Sequence, residues 1–115
     1  MELKTQNLKE LYEKDFYLWV MENLKLLKNG EYDNARSEIK KLFKDTPSLR
    51  QKAEQKESLE KAWQYAVINL IGWFEKAEDL AKKYFGRLPT EEDFPQTCPY
   101  TFEQVMEHRP WMKES

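Results

Sequence analysis

The stretch that decides the fold is residues 59–84, LEKAWQYAVINLIGWFEKAEDLAKKY. Its apolar side chains recur at steps of three and four residues, as on an α-helix, and they cover more than half of the helix circumference. A helix that is apolar over so wide an arc is buried on several sides. We therefore expect Leu59–Tyr84 to form one long central helix around which shorter helices pack.

Two helices are predicted at the start of the chain. The segment Leu8–Lys28 has an apolar face at helical spacing, and Asn29-Gly30 follows it as a C-terminal stop. A second helix, with Ala35 and Ile39 on its apolar side, is expected to end near Lys44. Both helices are amphipathic, so each is predicted to lay one face on the core.

Thr46-Pro47 marks a third helix start, because proline at the first helical position loses no hydrogen bond. Gly72 is the only helix breaker between Pro47 and Phe85, so two interpretations remain. Either the chain breaks near residues 55–58, or a single helix of nearly 60 Å projects from the domain. Residues 50–57 are almost entirely polar, and Ser58 can cap a new helix, so we favour the break.

The C-terminal part is predicted to be an ordered, proline-rich loop followed by a short helix. Thr90 with Asp93 resembles a capped single turn, and Thr101 with Gln104 fits a capping box that opens a helix to about His108. The sequence has no strand-like alternation of useful length and no internal repeat. We therefore predict a single all-α domain over residues 1–115, a small bundle of about four to five helices.

Composition limits the chemistry that the chain can perform. Among 115 residues there is one Cys and one His, which leaves no internal disulfide and no multi-histidine metal site. The net charge of −2 gives no global attraction to nucleic acid or to anionic lipid. The start of the sequence has no apolar leader, and the most apolar stretch, residues 62–74, is too short for a membrane span. We expect a cytoplasmic protein without a cofactor.

Asp15 is the first candidate for chemistry, because it shares a helical face with Tyr12, Phe16 and Trp19. Aromatic surroundings desolvate a carboxylate and raise its pKa, as a general acid requires. The alternative, which we favour, is that Asp15 accepts a hydrogen bond from a neighbouring donor.

Cys98 and His108 are the other candidates. Cys98 precedes the helix that Thr101 opens, where a thiolate is stabilised, but the single histidine lies ten residues further on. We therefore expect an unreactive thiol and a solvent-facing imidazole. Without a phosphate loop or a convincing catalytic triad, the sequence predicts that the protein is not an enzyme.

A basic segment occupies residues 36–56, where seven cations stand against three anions between Asn34 and Lys56. Arg36, Lys40 and Lys44 lie along one face of the second helix and are candidates for contacting phosphates. Nucleic-acid binding through this segment is the alternative function. A solvated helix face is the more common meaning of such a stripe, and we favour it here.

The favoured function is protein–protein association, including self-association as a dimer. Trp63, Trp73 and Phe74 on the central helix are the candidate interface residues, because one small bundle is not expected to cover all of them. The predicted partner is therefore a protein, with a second copy of the chain foremost.

The two ends of the sequence carry a further pattern. Leu11-Tyr-Glu-Lys-Asp-Phe-Tyr-Leu-Trp19 stands near the start, and Phe94-Pro-Gln-Thr-Cys-Pro-Tyr-Thr-Phe-Glu-Gln104 stands near the end. Together they resemble the signature of a bacterial family known as domain of unknown function twenty-nine. The middle looks shortened, with Asn69 at the position where family members carry a histidine.

The resemblance implies a helical bundle and assigns no reaction. It places Tyr12, Asp15, Phe16 and Trp19 on the core face of the first helix. It also implies a packed plug at the end of the bundle, formed by Phe94, Pro95, Cys98, Pro99 and Tyr100.

Overall fold

The computed structural model describes the backbone of residues 5–108 and the side chains of residues 16–108. This part of the chain contains six α-helices and no strand, which confirms the all-α prediction. The helices are α1 (Thr5–Lys28), α2 (Asp33–Asp45), α3 (Pro47–Glu54), α4 (Leu59–Lys76), α5 (Glu78–Phe85) and α6 (Phe102–Glu107), with a 3-10 turn at Glu91–Asp93. None of these helices combines the length and the apolar composition that crossing a membrane requires.

The predicted break between residues 55 and 58 is confirmed. Helix α3 ends in a turn in which the Lys56 N–H donates to the Ala53 carbonyl and the Glu57 N–H donates to the Lys52 carbonyl. This pair of bonds is the Schellman arrangement, which needs a left-handed residue, and Lys56 has a φ of 69°. Ser58 is buried directly before α4 begins.

The prediction of one helix over Leu59–Tyr84 is wrong at Ala77, where α4 ends and α5 begins. Neither glycine nor proline stands at this turn, so the cause is tertiary. Ala81 is fully buried, and the ring of Phe85 packs edge-on against Phe74 at 6.2 Å. Redirecting the chain at Ala77 brings both side chains of α5 to the core, and this accounts for a sixth helix beyond the expected four to five.

The core lies mainly between α2 and α4, which make the most extensive helix–helix contact. Its largest fully buried side chains come from α1, α2, α4 and α6. They are Val20, Leu24, Ile39, Phe43, Trp63, Leu70, Phe74 and Val105. Helix α4 is thus the central helix, as predicted, with α1, α5 and the C-terminal segment packed around the α2–α4 pair.

Trp63 is the side chain at which three segments meet. Its indole is 1% exposed, and Nε1 donates to the Pro95 carbonyl at 2.7 Å. The ring also meets Tyr32, at the start of α2, edge-on at 5.8 Å and Tyr100 edge-on at 6.1 Å. One buried indole therefore holds the C-terminal loop against both α4 and α2.

The expectation that Trp63 and Phe74 form an interface is corrected by this packing. Phe74 is 0% exposed, so neither side chain can contact a partner in this fold. Trp73 is half-buried and stacks on Phe16 at 4.7 Å, with Trp19 beside it. Trp63 and Phe74 are eleven residues apart, about three helical turns, and so they lie on the same buried face.

Replacing Trp63 with Phe tests the anchoring role of the indole. Trp63→Phe keeps an aromatic ring but removes the donor to the Pro95 carbonyl, so we expect the free energy of unfolding to fall by about 1–3 kcal/mol. Urea unfolding followed by circular dichroism measures it. Trp73→Phe is the matched control, because Trp73 is only half-buried. The free energy of unfolding should fall less in this variant than in Trp63→Phe. Equal losses in the two variants would contradict the anchoring role.

Lys56 offers a test with the opposite sign. A residue with a side chain in the left-handed conformation is strained by about 1 kcal/mol, and glycine is not. We expect Lys56→Gly to raise the free energy of unfolding by about 0.5–1 kcal/mol. Lys52→Gly, at a helical position of α3, should lower it by a similar amount. A loss of stability in Lys56→Gly would argue against the left-handed turn.

Candidate functional site

The loop before α6 is held by charged groups as well as by Trp63. The guanidinium of Arg87 grips the Asp93 carboxylate with two bonds, of 2.6 and 2.9 Å, and the Thr90 N–H donates to the same carboxylate. The Arg87 hydrogen bond lowers the pKa of Asp93 to about 2. Asp93 thus caps the 3-10 turn, as the sequence predicted.

Cys98 lies in the same loop, and its backbone N–H and its thiol both form hydrogen bonds. Its N–H donates to the Glu60 carboxylate on α4 at 3.0 Å, and its thiol donates to the Tyr100 carbonyl. Burial raises the pKa of the Cys98 thiol, with Glu60 acting in the same direction. The thiol therefore stays protonated at neutral pH, which disfavours nucleophilic chemistry.

A polar cluster forms where α2 meets the C-terminal segment, and its members are Asp33, Arg36, Lys40, Tyr100 and His108. Arg36 donates to the Asp33 carboxylate at 2.8 Å, and its guanidinium lies 4.1 Å from the Tyr100 ring centroid. The Tyr100 hydroxyl accepts a hydrogen bond from the Tyr32 N–H, and burial raises the pKa of Tyr100. Lys40 Nζ donates to the His108 carbonyl at 3.1 Å. The cluster thus joins α2 to both ends of the segment that includes α6.

His108 is not the solvent-facing histidine that the sequence suggested. Its side chain is only 10% exposed, because it is enclosed against α2, and Nε2 lies 3.9 Å from an Asp33 oxygen. Burial lowers the pKa of His108, and the positive charges of Arg36 and Lys40 add to this effect against the attraction of Asp33. The imidazole is therefore neutral at pH 7. Nε2 of His108 and Nε of Arg36 are buried without a hydrogen-bond partner among the described residues.

The candidate phosphate-contacting residues do not form one free row. Arg36 and Lys40 donate hydrogen bonds to other members of the polar cluster, and both side chains are half-buried. Lys44 alone of the three is exposed. The expectation of a solvated stripe is therefore wrong for Arg36 and Lys40, because α6 and the residues around it pack against that side of α2.

The family-motif residues fall into two groups. Phe16 and Trp19 pack on Trp73, while Phe94 is buried and Pro95, Cys98 and Tyr100 are half-buried in the C-terminal loop. Pro99 is exposed. The side chains of Tyr12 and Asp15 lie outside the described residues, so the structure does not bear on Asp15 as an acid.

The exposed apolar side chains are not those that the sequence singled out. Four large ones stand out among residues 16–108: Tyr17, Leu18, Tyr65 and Ile68. Tyr65 and Ile68 lie on the side of α4 that faces away from the core, and they are 60% and 53% exposed. The signal was present in the sequence, because both are apolar and yet fall outside the apolar arc of the central helix.

The outer face of α4 consists of Lys61, Tyr65, Ile68, Gly72 and Glu75. Lys61 and Glu75 are exposed, and Gly72 is partly exposed. A Cβ added at Gly72 would meet nothing within 4 Å, so no contact within the described chain requires a glycine there. This face is therefore a continuous surface that the rest of the described chain leaves open.

A shallow cleft of about 270 Å³ borders this face, between α4 and the C-terminal loop. Its walls include Trp63, Val67, Ile68, Glu91 and Pro95. It lies at the lower limit of the volumes that bind small molecules. No group of three or more His, Cys, Asp and Glu side chains suited to a metal ion occurs among the described residues.

Comparison with known protein families adds one result. The family model described as Domain of unknown function DUF29 matches residues 31–111, which is more than half of the chain. The chain belongs to the DUF29 family. This confirms the family that the sequence pattern suggested. The match includes the motif Phe94–Gln104 near the end of the sequence, whereas the motif Leu11–Trp19 lies before it. The DUF29 match contains α2 to α6, the polar cluster and the outer face of α4. No curated protein and no solved structure was found to match the chain.

The polar cluster predicts a pH response that one substitution should change. Because the pKa of His108 is lower in the folded than in the unfolded chain, the contribution of this histidine to stability is fully present above about pH 6.5 and is lost as the pH falls below it. Arg36→Gln removes a positive charge, so the pKa of His108 should rise. NMR titration measures the pKa of His108 directly, since the chain has one histidine and its ring signals need no further assignment.

Arg36→Lys is the matched control for this titration, because it keeps the positive charge and should leave the pKa of His108 low. A value in Arg36→Gln no higher than in the natural chain would contradict the described electrostatics.

Proposed function

We propose that this DUF29 chain is a self-association module in which a second copy packs on the outer face of α4, and that it is not an enzyme. The observation that carries the proposal is the exposure of Tyr65 and Ile68 on one helix face beside a glycine that the fold does not need. Exposed apolar patches of this kind, edged by charged side chains, are typical of protein–protein contact sites.

The spacing along this face supports packing against another helix. Lys61, Tyr65, Ile68, Gly72 and Glu75 follow each other at steps of four, three, four and three residues. Residues at these steps form one straight row on a helix, which is the pattern of a helix–helix seam. The row runs from near the start of α4 to its last turn, so a partner helix can follow it over about four turns.

Gly72 supports close approach of that partner. A glycine inside a helix is less favourable than alanine by about 1 kcal/mol, and the described chain gains no contact in return. The absence of a side chain lets another backbone or a large side chain come close to the helix axis. Tyr65, two turns earlier on the same face, is a large side chain of the kind that fills such a space in a second copy.

The charges on the face support a second copy as the occupant. The row begins with a lysine and ends with a glutamate, both exposed, and neither forms an ion pair with another described residue. A surface with opposite charges at its two ends is complementary to itself when it is turned end for end. The net charge of −2 is too small to keep two copies apart.

Two other observations favour association over the alternatives. Arg36 and Lys40 donate hydrogen bonds to Asp33 and to the His108 carbonyl, which weakens the case that they contact phosphates. The raised pKa of the Cys98 thiol weakens the case for nucleophilic catalysis. Neither observation bears on the outer face of α4, which stays open to a partner.

Substitution of Ile68 tests the proposal. Ile68→Glu places a charge in the middle of the row, so we expect the dissociation constant of the dimer to rise at least tenfold, measured by sedimentation equilibrium. Leu18→Glu is the matched control, because Leu18 is exposed to a similar extent, at 57%, but lies on α1. A natural chain that stays monomeric at every concentration would refute the proposal, as would equal effects of the two variants.

Gly72→Gln gives a readout in which stability and association change in opposite directions. Glutamine is the better helix former and meets open space, so the free energy of unfolding of the monomer should rise by about 0.5 kcal/mol. Its side chain blocks close approach, so the dimer should dissociate more readily. If Gly72→Gln leaves association unchanged, the partner does not pack at this position.

A further inference from the structure

We infer, resting on the proposed function, that the two copies pack α4 against α4 in antiparallel orientation about a two-fold axis at Ile68. Lys61 of each copy then lies near Glu75 of the other. The inference goes beyond association itself, because it fixes the direction, the register and the charged contacts of the pair.

A parallel pair is disfavoured at both ends of the row. In parallel register each residue meets its own copy, so Lys61 would face a second lysine and Glu75 a second glutamate. Like charges so placed repel, and both pairs would be brought out of bulk water. Gly72 would also face Gly72, which leaves a gap one turn from the middle of the contact.

An antiparallel pair satisfies the same five residues. Ile68 is seven residues from Lys61 and seven from Glu75, so an axis at Ile68 superposes the two charged ends on each other. Tyr65 and Gly72 lie three and four residues from the axis, on opposite sides. Each exposed tyrosine ring therefore falls at the level of the glycine of the other copy, where a large group meets the least crowded part of the helix.

The surrounding structure leaves room for this arrangement. Residues 61–75 extend over about 21 Å of straight helix, and the chain turns away only at Ala77, beyond Glu75. The core side chains of α4, from Trp63 to Phe74, lie on the opposite face and are not disturbed. Two helices can approach to about 8–10 Å, within which side chains on the axis touch.

Disulfide trapping tests direction and register together. In a Cys98→Ser background, the single variants Lys61→Cys and Glu75→Cys are each oxidised alone. In a third sample the two reduced variants are mixed, at a concentration at which the dimer forms, and are then oxidised. The antiparallel register predicts a cross-link between the two different variants in the mixture. Neither variant should cross-link with itself, because its two copies are about 21 Å apart. Ile68→Cys, on the axis, should cross-link with itself.

Charge exchange is the second arm and uses no cysteine. Lys61→Glu and Glu75→Lys should each raise the dissociation constant about fivefold, and the double variant Lys61→Glu, Glu75→Lys should restore it. Lys83→Glu, an exposed lysine on α5, is the matched control and should have little effect.

The outcomes separate this inference from the proposed function. Self-linked Lys61→Cys and Glu75→Cys would establish a parallel pair and overturn the inference, while self-association would stand. A dimer that gives no cross-link at residues 61, 68 and 75 would overturn it by placing the contact elsewhere. A chain that stays monomeric throughout would refute both the inference and the proposed function.

Discussion

The hydrogen bond from the Trp63 indole to the Pro95 carbonyl is the contact on which the rest of this structure depends. It ties the central helix α4 to a loop that has no regular secondary structure apart from one 3-10 turn. A buried N–H without an acceptor is costly, so the loop is fixed where its carbonyl is needed. Tyr100 is then in place beside Trp63, where its hydroxyl caps the Tyr32 N–H and its ring carries the Arg36 guanidinium.

This anchoring also explains which surface is left for other molecules. The tryptophan and phenylalanine side chains of α4 pack inward. Trp63 contacts Tyr32 at the start of α2, Trp73 contacts α1, and Phe74 contacts α5. The side of α4 that faces away from the core carries Tyr65 and Ile68, two large side chains that stay exposed to water in the folded chain. The same helix therefore serves the core with one face and, in our proposal, a second copy of the chain with the other.

Local signals in the sequence predicted much of the fold. Asn29-Gly30, Thr46-Pro47 and the Thr101–Gln104 capping box each act within one turn of backbone, and the structure contains all three as expected. The turn at Ala77 could not be predicted in this way, because its cause is the packing of Ala81 and Phe85 against the core and not a residue type at the turn. The burial of His108 likewise depends on Asp33, Arg36 and Lys40, which lie about 70 residues earlier in the chain. The wide apolar arc of α4 suggested spare surface at Trp63 and Phe74, whereas the rest of the fold covers both side chains.

A dilution series of the natural chain followed by backbone NMR tests the central claim most directly. If two copies meet at the outer face of α4, amide signals of Tyr65, Ile68 and Gly72 will move with concentration while those of α3 stay fixed. The shifts should follow a single monomer–dimer equilibrium between masses of 14.0 kDa and twice that value. Spectra that do not change with concentration, or changes centred on Tyr17 and Leu18 of α1, would contradict the account.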